Sequence, residues 1–163
     1  LPETFDDSMK IRMVDPMEIF VAKGNALITR AAARDLYDWC NMLSEGLFEE
    51  QRDLFRKCFL FYMTISTDTL NKSFDTSAID TLDFNKIRRD LFPVLNKKDN
   101  CQLDERKKIA KNYISDLMVL TTKEKEYLDR FEEKKYMPEL LFEDAEIVER
   151  VKNHPMALWK CKE

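Results

Sequence analysis

A chain of 163 residues with 44% apolar and 36% charged side chains is sized for one domain, or part of one, and carries enough apolar material to bury a core. Its 27 Lys and Arg against 31 Asp and Glu leave a formal charge of −4, which argues against a general polyanion-binding field but leaves room for a local basic patch. With two glycines and one histidine, a Walker A loop, a G-x-G-x-x-G turn and a multi-His metal site cannot be built, glycine-turned sheet folds are disfavoured, and a mainly α protein is expected.

Residues 1–9 read as an irregular lead-in, and Lys10-Ile-Arg-Met-Val14 alternates polar with apolar residues as one short strand would. Such a strand needs a sheet partner that the helix-rich remainder does not supply. Asp15-Pro16-Met17-Glu18 combines a capping residue, a proline suited to the first helical position and a capping-box glutamate, predicting a helix to about Arg30. A second helix is predicted over 32–44, with Gly46 placed to end it in a left-handed conformation. The third, over 48–65, is apolar on most sides through Leu54, Phe55, Cys58, Phe59, Phe61, Tyr62 and Met63, as a central buried helix should be.

A polar connection follows over 66–82 with room for one helical turn, then a short helix before Pro93 and a polar loop over 96–102. A helix over 103–119 is expected to pack through Ile109, Tyr113, Ile114 and Leu117. Thr121-x-x-Glu124 is a capping box that opens a helix to about Lys135, with Tyr127, Leu128 and Phe131 facing inward. Pro138 ends that segment, and a last helix is predicted over 143–152. Cys40, Cys58, Cys101 and Cys161 are widely spaced, form no C-x-x-C pair and follow no secretory segment, so they read as reduced thiols of a cytoplasmic protein. The longest apolar run, Cys58 to Met63, falls far short of the ~20 residues of a membrane span.

One cation breaks the pattern. Lys23 has Ile19, Phe20, Ala26 and Leu27 three and four positions either side, so it is expected to emerge from the buried stripe of the first helix. A desolvated ammonium needs a partner. Arg34, Asp35 and Asp38 cluster at the start of the second helix, with the two carboxylates one turn apart, and the intervening reversal brings Arg30 near. Two readings are open: a structural ion-pair network, or a polyphosphate site in which cations neutralise phosphate oxygens while an aspartate orients the lysine.

The stretch Asp15-Pro-Met-Glu-Ile-Phe-Val-Ala-Lys23-Gly-Asn-Ala-Leu-Ile-Thr-Arg30, followed by Arg34-Asp-Leu-Tyr-Asp38, resembles the AbiEii/AbiGii nucleotidyltransferase toxins of type IV toxin–antitoxin and abortive-infection systems. Lys23 to Arg30 is similar to the family's K-L-x-A-L-x-x-R motif, with Gly24 in place of its usual leucine, and Asp35-Leu-Tyr-Asp38 is similar to its aspartate motif. Tyr136-x-Pro138-Glu-Leu-Leu-Phe142 and His154-Pro-Met-Ala-Leu-Trp159-Lys160 are similar to the ends of family members.

That resemblance implies a polymerase-β-like catalytic sheet followed by a helical C-terminal part. It further implies transfer of a nucleotide from a nucleoside triphosphate, with Mg²⁺, to an RNA such as tRNA or to a protein, and a separately encoded antitoxin. Lys23 would contact the triphosphate with Arg30 and Arg34 beside it, and Asp38 or Asp35 would support catalysis, Asp38 being favoured. The family's Gly-Ser turn and D-x-D carboxylates do not occur here, and neither Lys57 nor Lys97 opens its K-x-x-x-[ST] motif. The chain, which opens Leu-Pro-Glu-Thr, is therefore expected to be the C-terminal part of a longer toxin. Residues 1–14 would end the catalytic domain, with the 10–14 strand left from its sheet, and 15–163 would be a helical bundle. No metal ligands are assigned within it, and alone it would not transfer nucleotides. The alternative is a non-catalytic helical module that binds a partner nucleotidyltransferase or antitoxin.

Other candidates favour structural roles. His154, beside a proline at a helix end, suits capping or packing, and Arg150-Val-Lys-Asn-His154 is one residue short of the R-x(4–6)-H signature of HEPN ribonucleases. Arg106 to Lys111 reads as a solvated basic face rather than an RNA contact. Tyr37, Trp39, Tyr62 and Trp159 could stack on bases but are expected in the core, with Trp159 a C-terminal latch, and Met13, Met17, Met42 and Met63 as gap fillers.

Overall fold

The computed structural model describes residues 15–83, 85 and 97–162. Among these the protein is all-α, with helices α1 (Asp15–Thr29), α2 (Ala33–Ser44), α3 (Arg52–Ser66), α4 (Ser77–Asp80), α5 (Lys97–Leu117), α6 (Thr122–Glu132), α7 (Ala145–Val151) and α8 (Pro155–Lys160). Short 3₁₀ turns occupy Glu49–Gln51 and Pro138–Leu140. The strand expected over 10–14, Met13, Cys101's surroundings and the short helix before Pro93 lie outside what the structure describes.

α3 is the central element, as its all-round apolar character predicts. Phe55, Cys58, Phe59, Leu60, Phe61 and Met63 are fully buried, and α1, α6 and α8 pack around it. α2 lies against α1 on one side and α5 on the other, and α4 touches both α1 and α5. The α2 terminus behaves as read: Gly46 adopts φ +68°, its N–H donates to Leu43, and Leu47 N–H reaches back to Met42, satisfying carbonyls that the helix end would leave open. α1 ends on Thr29, and Ala31, at φ 47°, takes the left-handed position after it. The Thr121–Glu124 capping box is present in both directions, and Tyr127, Leu128 and Phe131 are buried.

Four expectations need correction. Residues 97–102 are not a loop; α5 begins at Lys97. A helix already nucleated and packed extends at little cost through straight-chain residues such as Lys97, Lys98 and Gln102. The buried face of α5 is Leu103, Ala110, Ile114 and Leu117, leaving Ile109 exposed because the helical period selects its neighbour Ala110. α8 has no counterpart among the predicted helices, although His154 takes the capping role expected of it, accepting Met156 N–H on Nδ1 at 3.2 Å with Pro155 at the first position. Trp159 is no latch: α8 buries Ala157, and Trp159, two positions on, faces the opposite way and is 68% exposed.

Candidate functional site

The buried stripe of α1 runs through Met17, Val21, Gly24, Asn25, Leu27 and Ile28. Lys23 therefore stands at the edge of the stripe, not in its middle, and Ile19 below it is exposed. Three contacts hold this part of α1 in place. Gly24 lies where α1 crosses the Trp39 and Phe59 rings so closely that a Cβ would come within 2.1 Å of Trp39 and 2.6 Å of Phe59. The indole Nε1–H of Trp39 donates to the Phe20 carbonyl at 2.7 Å, tying α2 to α1. Buried Asn25 donates from Nδ2 to the Val21 and Phe59 carbonyls, at 3.1 and 3.2 Å, tying α1 to α3.

So anchored, Lys23 projects across the α1–α2 seam. Its Nζ lies 2.9 Å from Asp38 Oδ2 and 3.7 Å from Asp35 Oδ1. The side chains of Lys23, Asp35 and Asp38 are 26%, 14% and 38% exposed, so the cluster is half-buried but open on its Asp38 side. Asp35 also lies in the first turn of α2, where the helix dipole favours negative charge. Three of the five residues read as a cluster thus converge. Arg30, one residue past the end of α1, and Arg34 are both exposed, and neither forms an ion pair among the described residues.

Among the described residues no group of three or more His, Cys, Asp and Glu side chains is placed to hold a metal ion. The two carboxylates that do sit together are engaged by an ammonium group. The residues described do not fit a divalent-metal site.

The charged cluster that the sequence reading passed over lies between α3 and α6. Glu124 is fully buried; its carboxylate accepts from Arg56 Nε and Nη2 at 2.9 and 3.1 Å, from Lys57 Nζ at 2.9 Å and from Thr121 N–H at 2.9 Å. Burial pushes this carboxyl up, but the bonds from Arg56, Thr121 and Lys57 outweigh it and hold it below its ordinary value. The signal in the sequence was two adjacent cations inside an apolar helix. Lys57, which does not open the K-x-x-x-[ST] motif, serves here as a partner of buried Glu124.

The basic run on α5 is likewise engaged: Arg106 lies 4.3 Å over the Tyr37 ring and Lys111 bonds Asp80 at 2.8 and 2.9 Å. His154 packs edge-on to Phe61, and burial lowers its pKa.

Among the described residues this is a helical protein in which one lysine is engaged by two aspartates of the next helix across the α1–α2 seam. The nucleotidyl transferase AbiEii toxin family, of type IV toxin–antitoxin systems, matches residues 1–113, and the chain belongs to it. The match spans Lys23 to Asp38 and ends within α5, so segments 136–142 and 154–160 lie outside it. No curated protein and no solved structure matches the chain. Membership makes this a nucleotidyltransferase-type toxin sequence, with a nucleotide substrate and an antitoxin partner. No helix among the described residues is long and apolar enough to cross a membrane.

Proposed function

We propose that Lys23 is the contact to the donor triphosphate in a nucleotidyl-transfer reaction, and that Asp38 and Asp35 hold its ammonium in place and aimed. The observation that carries this reading is the 2.9 Å Lys23–Asp38 pair, half-buried and open to solvent on one side, within the family-matched segment. In such a reaction an acceptor hydroxyl oxygen attacks the α-phosphorus, the bond to pyrophosphate breaks and negative charge builds on the leaving oxygens. A pre-oriented ammonium stabilises that charge more than it stabilises the ground state. Exposed Arg30 and Arg34 are available for further phosphate oxygens. The acceptor is an RNA, tRNA among the candidates, or a protein, and the antitoxin is a separate chain. Residues 15–163 serve as the helical domain of the toxin, and the divalent-metal ligands are supplied from outside the residues described.

A half-exposed ion pair contributes only ~0–1 kcal/mol to stability. Lys23→Met is therefore expected to abolish growth inhibition by the intact gene product while shifting its thermal midpoint by no more than a few degrees. Asp38→Asn should weaken toxicity more than Asp35→Asn, since Asp35 is the more distant carboxylate. A Lys23→Met protein that melts far earlier, or one that keeps full toxicity, would assign the triad to the structural strut instead.

A further inference from the structure

Trp159 and Trp39 divide the two tryptophans of the chain into opposite environments: one fully buried in the core, the other 68% exposed on α8. Trp159 borders a cleft of about 570 Å³, within the range of small-ligand sites. The cleft lies between the end of α3 (Thr64, Thr67), the following loop and the end of α6, and it holds Lys134, Lys160 and Lys162. Its walls are tied together. Lys160 Nζ donates to the Thr67 carbonyl, Lys134 Nζ donates to the Lys160 carbonyl at 3.2 Å, and Thr64 and Tyr127 share a hydroxyl bond at 2.8 Å.

Two carboxylates share the lining. Glu132 is neutralised by Lys72 at 2.8 Å, whereas Asp68 is exposed. Three lysines against one unneutralised acid make this a local positive region on a chain whose formal charge is −4. Lys134 adds a further point: it occupies φ 65° at the end of α6, a conformation in which glycine would be easier, so a cation stands where the backbone does not favour one.

We propose that this cleft docks a nucleotide unit, its base stacked on Trp159 and its phosphate held by Lys134 and Lys162. An exposed aromatic face beside ammonium groups is the arrangement that grips single-stranded nucleic acid without reading sequence. The same chemistry serves a free mononucleotide or one unit of a strand. Trp159, Lys134 and Lys162 lie outside the family-matched residues, the α3 wall lies within them, and the cleft does not use Lys23, Asp35 or Asp38.

Because Trp39 is buried, nucleotide quenching of tryptophan emission reports on Trp159. The full chain is titrated with AMP and, separately, with a short oligoriboadenylate, and binding of a labelled oligonucleotide is followed by anisotropy. Saturable quenching is expected, with affinity falling about tenfold or more in Trp159→Leu. Affinity should also fall with salt, with a log–log slope that drops by roughly 0.7 in Lys134→Gly and again in Lys162→Gln. Lys134→Gly relaxes the backbone but also removes the bond to the Lys160 carbonyl, so the Lys162→Gln result, taken with an unchanged thermal midpoint, separates lost binding from a loosened cleft, and Asp68→Asn should tighten binding. Equal binding of AMP assigns the cleft to single nucleotides, and binding of the oligonucleotide alone assigns it to a strand. Absent quenching, or binding indifferent to salt and to both lysine substitutions, overturns the proposal and leaves Trp159, with exposed Met156 and Leu158, as an apolar contact for a protein.

Discussion

Gly24→Leu is expected to prevent the domain from folding. The position has no space for any side chain: a Cβ there would lie 2.1 Å from Trp39 Cζ2, 2.6 Å from Phe59 Cε2 and 2.9 Å from Trp39 Cε2. Neither ring can withdraw. Trp39 is held by its bond to the Phe20 carbonyl and packs on Phe55, Phe59 and Tyr113, with centroids 6.0, 6.2 and 5.7 Å away. Even Gly24→Ala, which gains about 1 kcal/mol of helix propensity, should lose at least the ~1–3 kcal/mol typical of an overpacked core. Denaturant melts would measure the net loss. Trp39→Phe removes the nearest atom, so combining it with Gly24→Ala should cost less than the sum of the two single changes. Additive losses would show that the clash is relieved elsewhere. At Gly24 the Trp39 indole occupies the space that a side chain would need.

Glu124→Ala should cost about 3–5 kcal/mol, the range for removing one partner of a buried ion pair. The substitution takes from largely buried Lys57 its Glu124 bond, leaves Arg56 with Asp53 as its remaining carboxylate, and also removes the acceptor for Thr121 N–H that opens α6. Replacing charge by shape tests the cause: Glu124→Leu with Arg56→Met should recover part of the loss. The network also predicts acid sensitivity. Because the folded-state pKa of Glu124 lies below its ordinary value, its stabilisation is present in full above the unfolded pKa, near 4.5, and is lost as pH falls through the folded value. Melting temperature measured down to pH 3 should fall more steeply for the parent than for Glu124→Gln. Parallel curves would mean that other carboxylates govern acid unfolding.

The helix boundaries were legible where local chemistry sets them. α1 begins at Asp15, and Gly46 and Thr121-x-x-Glu124 each satisfy or end backbone hydrogen bonding within a few residues, so neighbouring letters carry the information. The Lys23–Asp35–Asp38 cluster was legible too, because a cation bordering an apolar stripe requires an acid on the adjoining helix and the next helix begins with two. Arg30 and Arg34 escaped that logic. The left-handed turn at Ala31 ends α1 at Thr29, and both guanidinium groups are left exposed.

By itself the sequence determined a mainly α fold around α3 and the Lys23–aspartate pairing, since scarce glycine, periodicity and charge pairing act over a few residues or between consecutive helices, while the family was carried by the resemblance of the Lys23–Asp38 segment. Only the tertiary structure decided that Gly24 is a crossing point, that Glu124 answers two cations 67 and 68 residues away, and that Trp159 faces outward beside three lysines. Each depends on which helix faces come together, and contacts between segments distant in the chain leave no local pattern to read.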